Sequence, residues 1–236
     1  MKPLALLSLI AIAAAPLTAQ RHSTSNDELP RTLALGGALH FGNPQGEFAN
    51  NVNGVFGLNG FAGWQLGKSP LMVRADLGFD IYGDRTRRVP LGTGPLGLIM
   101  VDVNTTNSII NGGIGLQAGL PGKSFTPYFG GSVGFAAFVT SSSVSGSMQS
   151  TSEAFASSTN SSDGTFAKTL YGGFYIPIGS GGGAIDIGGR YHWNGEAQYL
   201  TERDISFDSR NMPVLHPRYT RADLFTVQIG FSFKRR

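Results

Sequence analysis

The chain has 236 residues, enough for one large domain or two small ones, and 34 of them are glycine, about twice the usual share of ~7%. Charged residues make up only 14%, against roughly 25% in soluble domains, so a surface wholly in water fits poorly. A net charge of +3 is too mild to argue for nucleic acid, and zero cysteines exclude a disulfide framework, a thiolate metal site and a lipid-anchored cysteine.

The N-terminus reads as a secretory signal peptide. Lys2 supplies the positive charge, Leu4 to Ala15 the apolar core, and Leu17-Thr18-Ala19 a small-residue exit, placing cleavage after Ala19. The apolar run is shorter than the ~20 residues of a spanning helix. Losing Lys2 takes the charge from +3 to +2. The expected organisation is a signal peptide over 1–19, an N-terminal periplasmic segment over 20–31, a barrel over 32–233 and a basic tail over 234–236.

Beyond the signal, apolar residues recur with period two. The first strand, 33–41, alternates Leu33, Leu35, Leu39 and Phe41 with Ala34, Gly36, Ala38 and His40. The second, 56–66, sets Phe56, Leu58, Ala62, Trp64 and Leu66 against Gly57, Asn59, Phe61, Gly63 and Gln65. The third, "LMVRADLGFDIY" (71–82), has one wholly apolar face and puts Arg74, Asp76 and Asp80 on the other. Five more follow at 107–120, 126–139, 166–178, 184–194 and 223–233.

Ordinary strands have about 5 or 6 residues. Twelve residues at ~3.3 Å each reach about 40 Å and, tilted by roughly 45°, cross about 28 Å, close to a bilayer's hydrocarbon thickness. The joins alternate: short turns ("GKSP", "PGKSF", "GSGGG") and long connections at 42–55, 83–106, 140–165 and 195–222. Long loops outside and short periplasmic turns are the asymmetry of a transmembrane barrel. The Ser/Thr-rich 140–165 segment reads as a low-complexity loop.

The polar set decides which face points inward. A water-facing set would be rich in Lys and Glu; this one is mostly Gly, Ala, Ser, Asn and Gln, which suits the narrow lumen of eight strands. The apolar set carries one charge, Lys168, near the loop end of the sixth strand. Aromatics gather at both ends of that face: Trp64, Phe129, Phe231 and Phe233 toward the turns, and Phe41, Phe56, Phe79, Tyr191 and Trp193 toward the loops, as membrane-interface girdles do.

The last strand, "FTVQIGFSF", resembles the C-terminal assembly signal of bacterial outer-membrane proteins, with Phe231 and Phe233 as its closing aromatics. That class usually ends on the terminal Phe, whereas Lys234-Arg235-Arg236 follows here. With the "TPYFGGSVGF" strand (126–135), residues 32 to 233 resemble the small eight-stranded barrels of the OmpA/OmpX-like group, the outer membrane protein beta-barrel domain. The resemblance implies an all-β, eight-stranded antiparallel up-and-down barrel, exported to the outer membrane of a Gram-negative-type bacterium. It also implies outer-membrane lipids and the barrel-assembly machinery as partners, and a monomer.

Three motifs reduce to loops. "GTGPLG" (92–97) contains Pro95 and lacks a strand–helix setting. Gly67-Lys68-Ser69 and Gly122-Lys123-Ser124 lack the first glycine of a phosphate loop, having Ala62 and Gln117 at that place. The mature histidines are His22, His40, His192 and His216. Neither His40 nor His192 has the His-x-Ser companion associated with barrel deacylases, and no rim cluster resembles that of the barrel proteases. No catalytic, cofactor or metal residues are therefore assigned.

The luminal charges remain: Arg74, Asp76 and Asp80 on the third strand, and Asp186, Arg190 and His192 on the seventh. In an eight-stranded ring these strands face each other, so opposite-sign pairs Arg74–Asp186 and Asp76–Arg190 are expected, with His192 near Asp80, give or take a rung of shear. A structural plug is preferred over a gated pore, since buried charges are paired whatever their function. The expected role is non-enzymatic, structural or in surface interaction through the loops. The alternatives are a narrow solute pore and a lipid-modifying enzyme. A pore predicts a wet path, and an enzyme a polar cluster near His40 or His192 opening sideways to lipid. A surface protein predicts neither, with loops that order on partner binding. In the 195–222 connection, "AQYLTERDISF" could form an extra hairpin.

Overall fold

The computed structural model describes residues 33–94, 97–120, 125–146, 156–179, 181–201, 204–207 and 213–235. The expected signal peptide and N-terminal segment, His22, the Gly122-Lys123-Ser124 turn and Arg236 lie outside the described residues. In chain order the elements are β1 (Leu33–Pro44), α1 (Gly46–Ala49), β2 (Val55–Gln65), β3 (Leu71–Gly94), β4 (Gly97–Gly119), β5 (Thr126–Gly146) and β6 (Ala156–Ile178). Then come β7 (Gly183–Asn194), β8 (Glu196–Tyr199), β9 (Ile205–Phe207), β10 (Pro213–Leu215), β11 (Arg218–Arg221) and β12 (Leu224–Arg235).

Eight of these close a barrel in the order β1-β12-β7-β6-β5-β4-β3-β2, every neighbour antiparallel. Closure pairs the first strand with the last along their whole length, from Leu33↔Arg235 to Pro44↔Leu224. No sheet edge is therefore left within the ring. The turns need the backbone freedom of glycine: Gly67 (φ 59°) lies between β2 and β3, and Gly182 (φ 80°) leads into β7.

The two faces are inverted relative to a soluble barrel. Leu35, Leu39, Phe41, Leu58, Leu77, Ile114, Phe129, Phe174, Ile229 and Phe233 are exposed on the outside. Inside, Asn59, Arg74, Asp80, Gln117, Asp186, Arg190 and Gln228 are buried. Such an exterior would be unstable in water, while in lipid every backbone donor and acceptor of the closed ring is already satisfied. Strands, not helices, make the crossing; among the described residues no helix is long and apolar enough to do so.

The structure corrects the loop reading. β3 runs 24 residues, β4 23, β5 21 and β6 23, so much of the 83–106 and 140–165 segments is strand rather than loop. The β3–β4 ladder continues to Gly94↔Gly97, β4–β5 to Val101↔Gly146, and β5–β6 to Val144↔Ala156. Beyond the last β2–β3 pair (Phe56↔Ile81) and the last β6–β7 pair (Ala167↔Asn194), these four strands rise as a separate wall. Ser/Thr-rich strands there are half in water on both faces, so apolar alternation, the signal that identified the barrel strands, disappears.

In the 195–222 connection the hairpin partner also differs. β8 pairs with β11 (Tyr199↔Arg218 to Glu196↔Arg221), and β9 with β10 nested between them. Thus "AQYLTERDISF" supplies one side of two hairpins rather than both sides of one.

Candidate functional site: the luminal polar layer

β3 and β7 occupy opposite places in the eight-membered ring, and their polar residues meet at mid-height. Arg190 Nη2 donates to Asp76 Oδ1 at 2.9 Å, bridging the lumen. Arg74 Nε donates to both Asp76 oxygens, at 3.0 and 3.1 Å. Arg74 and Asp76 are two residues apart on one strand, so period two points them to the same side. Arg74 Nη2 lies 2.8 Å from Asp76 Oδ1 but is too poorly aligned to count as a hydrogen bond, so the Nε contacts define the pair. One carboxylate thus serves two guanidinium groups.

Aromatic rings and amides complete this layer. The Arg74 guanidinium lies 3.7 Å from the Phe61 ring centroid and 4.9 Å from that of Tyr171, while Arg190 is 5.3 Å from Tyr171. Arg74 Nη1 donates to Gln117 Oε1 at 2.7 Å, and Arg190 Nε to Gln228 Oε1 at 2.8 Å. Planar, weakly hydrated guanidinium groups suit such stacking better than the strongly hydrated ammonium of lysine.

Asp186 does not pair with Arg74. It accepts from Tyr128 Oη at 2.6 Å and from Gln228 Nε2 at 3.1 Å. Arg74 has the nearer carboxylate of its own strand, which leaves Asp186 to a phenol and an amide. Nor is His192 bonded to Asp80. Asp80 is paired with His40 Nε2 and accepts from Asn111 Nδ2 at 2.7 Å. His40 Nδ1 lies 3.2 Å from Asn59 Nδ2, an arrangement in which the amide donates and the ring proton sits on Nε2. His192 Nδ1 instead meets Thr169 Oγ1 at 3.0 Å.

The bonds form one connected chain from Asn111 through Asp80, His40, Asn59, Gln228, Arg190, Asp76 and Arg74 to Gln117. Beside it is a small cavity of about 20 Å³, walled by Gly113, Ser132 and Thr169 and faced by Asp76, Arg190 and His192. That is room for about one water, with polar partners on several sides.

Above the polar chain lies an apolar cap that sequence reasoning missed. Phe48 of α1 is fully buried, with its ring centroid 5.2 Å from Tyr199, 5.7 Å from Tyr82 and 6.2 Å from Phe138. Val52, Ile109, Ala197 and Leu224 belong to the same cluster. Tyr82 Oη donates to the Leu200 carbonyl at 3.2 Å, and Asn51 Nδ2 to Tyr199 Oη at 3.2 Å. Parts of the 42–55 and 195–222 connections, expected to order only on partner binding, are thus folded inward over the mouth. The signal was present in part: Phe48 is the one aromatic in the 42–55 connection.

Outside the membrane, Asp204 fastens the β8–β11 segment. It accepts from Thr201 N (2.9 Å), Thr201 Oγ1 (2.7 Å) and Arg218 Nε (2.8 Å). Burial pushes its carboxyl pKa upward, but the hydrogen bonds from Arg218 and Thr201 outweigh this and hold it below the ordinary value.

The girdle residues occupy the exterior. Trp64, Phe129, Phe231, Phe233 and Trp193 are exposed, and Tyr191 stands 4.5 Å from Trp193, ring to ring. Phe41 and Phe56 pair at 5.1 Å. Among the described residues, no group of three His, Asp or Glu side chains gathers as metal ligands would. His192 has a hydroxyl neighbour but no carboxylate bonded to its ring among the described residues, so the third group of a hydroxyl–His–acid arrangement is not assembled there.

No protein-family model and no curated protein matches the chain. Among solved structures it is similar to Neisserial surface protein A, at 12% identity over 86% of this chain and 97% of that one with a TM-score of 0.48. It is also similar to a major outer membrane protein from Thermus thermophilus, at 10% identity, coverage of 87% and 98% and a TM-score of 0.47. Ail, the attachment invasion locus protein of Yersinia pestis, matches at 10% identity with coverage of 87% and 99% and a TM-score of 0.40. The assignment rests on the register and faces of the chain itself: it is an eight-stranded inside-out barrel of the outer-membrane type.

Proposed function

We propose that this chain is a non-enzymatic outer-membrane barrel with a surface-interaction role, its lumen permanently plugged and its raised β3–β6 wall serving as the contact surface. The observation behind this reading is double occlusion. The Arg190–Asp76–Arg74 layer fills the lumen at mid-height, and the Phe48 cluster closes it above. The four-stranded wall of β3 to β6 rises beyond both and faces outward. A partner binding there needs no passage through the barrel. All barrel ladders close within one chain, which supports a monomer with lipids around it.

The chain has no cysteine, so single-cysteine labelling is clean. Ser157→Cys sits exposed on the wall and Thr226→Cys buried in the lumen. With a membrane-impermeant maleimide on intact cells, Ser157→Cys is labelled and Thr226→Cys stays unlabelled until the protein is unfolded. Labelling of Ser157→Cys only after lysis would overturn the surface role, and labelling of Thr226→Cys in intact cells would overturn the plug.

A further inference from the structure

Between the turn-side aromatics and the rim, Lys168 is the one charged side chain on the outward face of the eight barrel strands, among the described residues. On its own strand it is flanked two residues away by Phe166 and Leu170, and across the ladders it pairs with Val133 on β5 and Trp193 on β7. All four neighbours are exposed on the same lipid-facing surface. Among the described residues no ion pair involves Lys168, so none of their carboxylates compensates its charge.

Its height is fixed by register. The Ala167↔Asn194 pair is the last between β6 and β7, so Lys168↔Trp193 is the rung just below the rim. A cation on the lipid face is costly at the midplane and nearly neutral at the interface, where its stem lies along apolar side chains and its head reaches the headgroups. Trp193, its ring 4.5 Å from that of Tyr191, marks that same interface.

We propose that Lys168 and Trp193 form a docking site for the phosphate of an anionic lipid headgroup at the outer rim. The ammonium supplies the counter-charge, and the flanking Phe166, Leu170 and Val133 supply an apolar bed for the acyl chain. The proposal rests on the reading that lipid covers this face, and the experiment separates the two.

The protein has two tryptophans, Trp64 near the turns and Trp193 beside Lys168. In a Trp64→Phe background, Trp193 alone reports its nearest lipids. The protein is reconstituted in phosphatidylcholine vesicles containing a small equal fraction of brominated phosphatidylglycerol or brominated phosphatidylcholine of the same chains. Quenching by either lipid is expected if the face is lipid-covered; none with both would overturn the membrane reading itself. For the docking site, the anionic lipid is expected to be enriched about fivefold beside Trp193, the scale of one interfacial cation. Lys168→Gln removes the enrichment and Lys168→Arg keeps it. Equal quenching by the two lipids, an enrichment that survives Lys168→Gln, or the same enrichment in a Trp193→Phe protein reporting from Trp64 would each overturn the site.

Discussion

Arg190 on β7 and Asp76 on β3 meet across the lumen at 2.9 Å, and the same carboxylate holds Arg74 at 3.0 Å. The Arg74 side chain is fully shielded from solvent, and those of Asp76 and Arg190 are 7% and 5% exposed. Removing the shared acid leaves two buried guanidinium groups without their hydrogen-bonded carboxylate. Asp76→Asn is therefore expected to lower the unfolding free energy by about 3–5 kcal/mol, the usual cost of breaking a buried pair. Urea unfolding in lipid vesicles, followed by tryptophan fluorescence, measures this. A loss below ~1 kcal/mol, the scale of an exposed pair, would mean that water reaches the layer.

Gly57 on β2 lies against the His40–Asp80 pair. A methyl group there would collide with Asp80 Oδ1 and the Phe79 carbonyl, and would stand 2.6 Å from His40 Nε2. Gly57→Ala is expected to cost about 1–3 kcal/mol as an overpacked core does, and to weaken the histidine–aspartate bond. The His40 ring nitrogen and proton shifts in micelle NMR should change; unchanged shifts would show that the wall yields instead.

Phe48→Ala deletes the centre of the cap. The cap is a local unit above the barrel, so amide exchange should rise in α1 and around Tyr199 and Leu200 while β1 and β12 stay protected. Loss of protection throughout the ring would mean that the cap holds up the barrel as a whole.

The lipid-facing set of each barrel strand was legible because one physical demand, an apolar exterior, repeats every second position. The opposed placement of Asp76 and Arg190 follows from counting rungs on strands 3 and 7. Arg74 shows the limit of counting. Its nearest acid is Asp76 on its own strand, a choice decided by rotamers that rung heights do not contain. The β3–β6 wall escaped because Ser141, Ser143, Ser145 and their neighbours have water on their outer side and carry no apolar period. The cap escaped because Phe48, Tyr82 and Tyr199 come from three separate parts of the chain and meet only in the folded molecule.

Asp204 gives the outer segment a pH limit. Its pKa is depressed in the folded state by Arg218 and Thr201. A depressed carboxyl contributes stability that is fully present above its unfolded pKa of ~3.9 and is lost as pH falls through the lower folded value. The β8–β11 segment should therefore stay closed at neutral pH and loosen below about pH 4. Exchange of the Thr201 amide, which donates to Asp204 at 2.9 Å, reports the change. Asp204→Asn should loosen the segment at neutral pH and flatten the pH dependence; an unaltered acid response would place its origin elsewhere.

The proposed plug is tested most directly by ion conductance across a planar bilayer. With the Arg190–Asp76–Arg74 layer in place beneath the Phe48 cap, the wild-type protein should give no discrete current steps, and Phe48→Ala should stay equally silent because the charged layer still blocks the path. Reproducible unitary steps from the wild-type protein would contradict the plug.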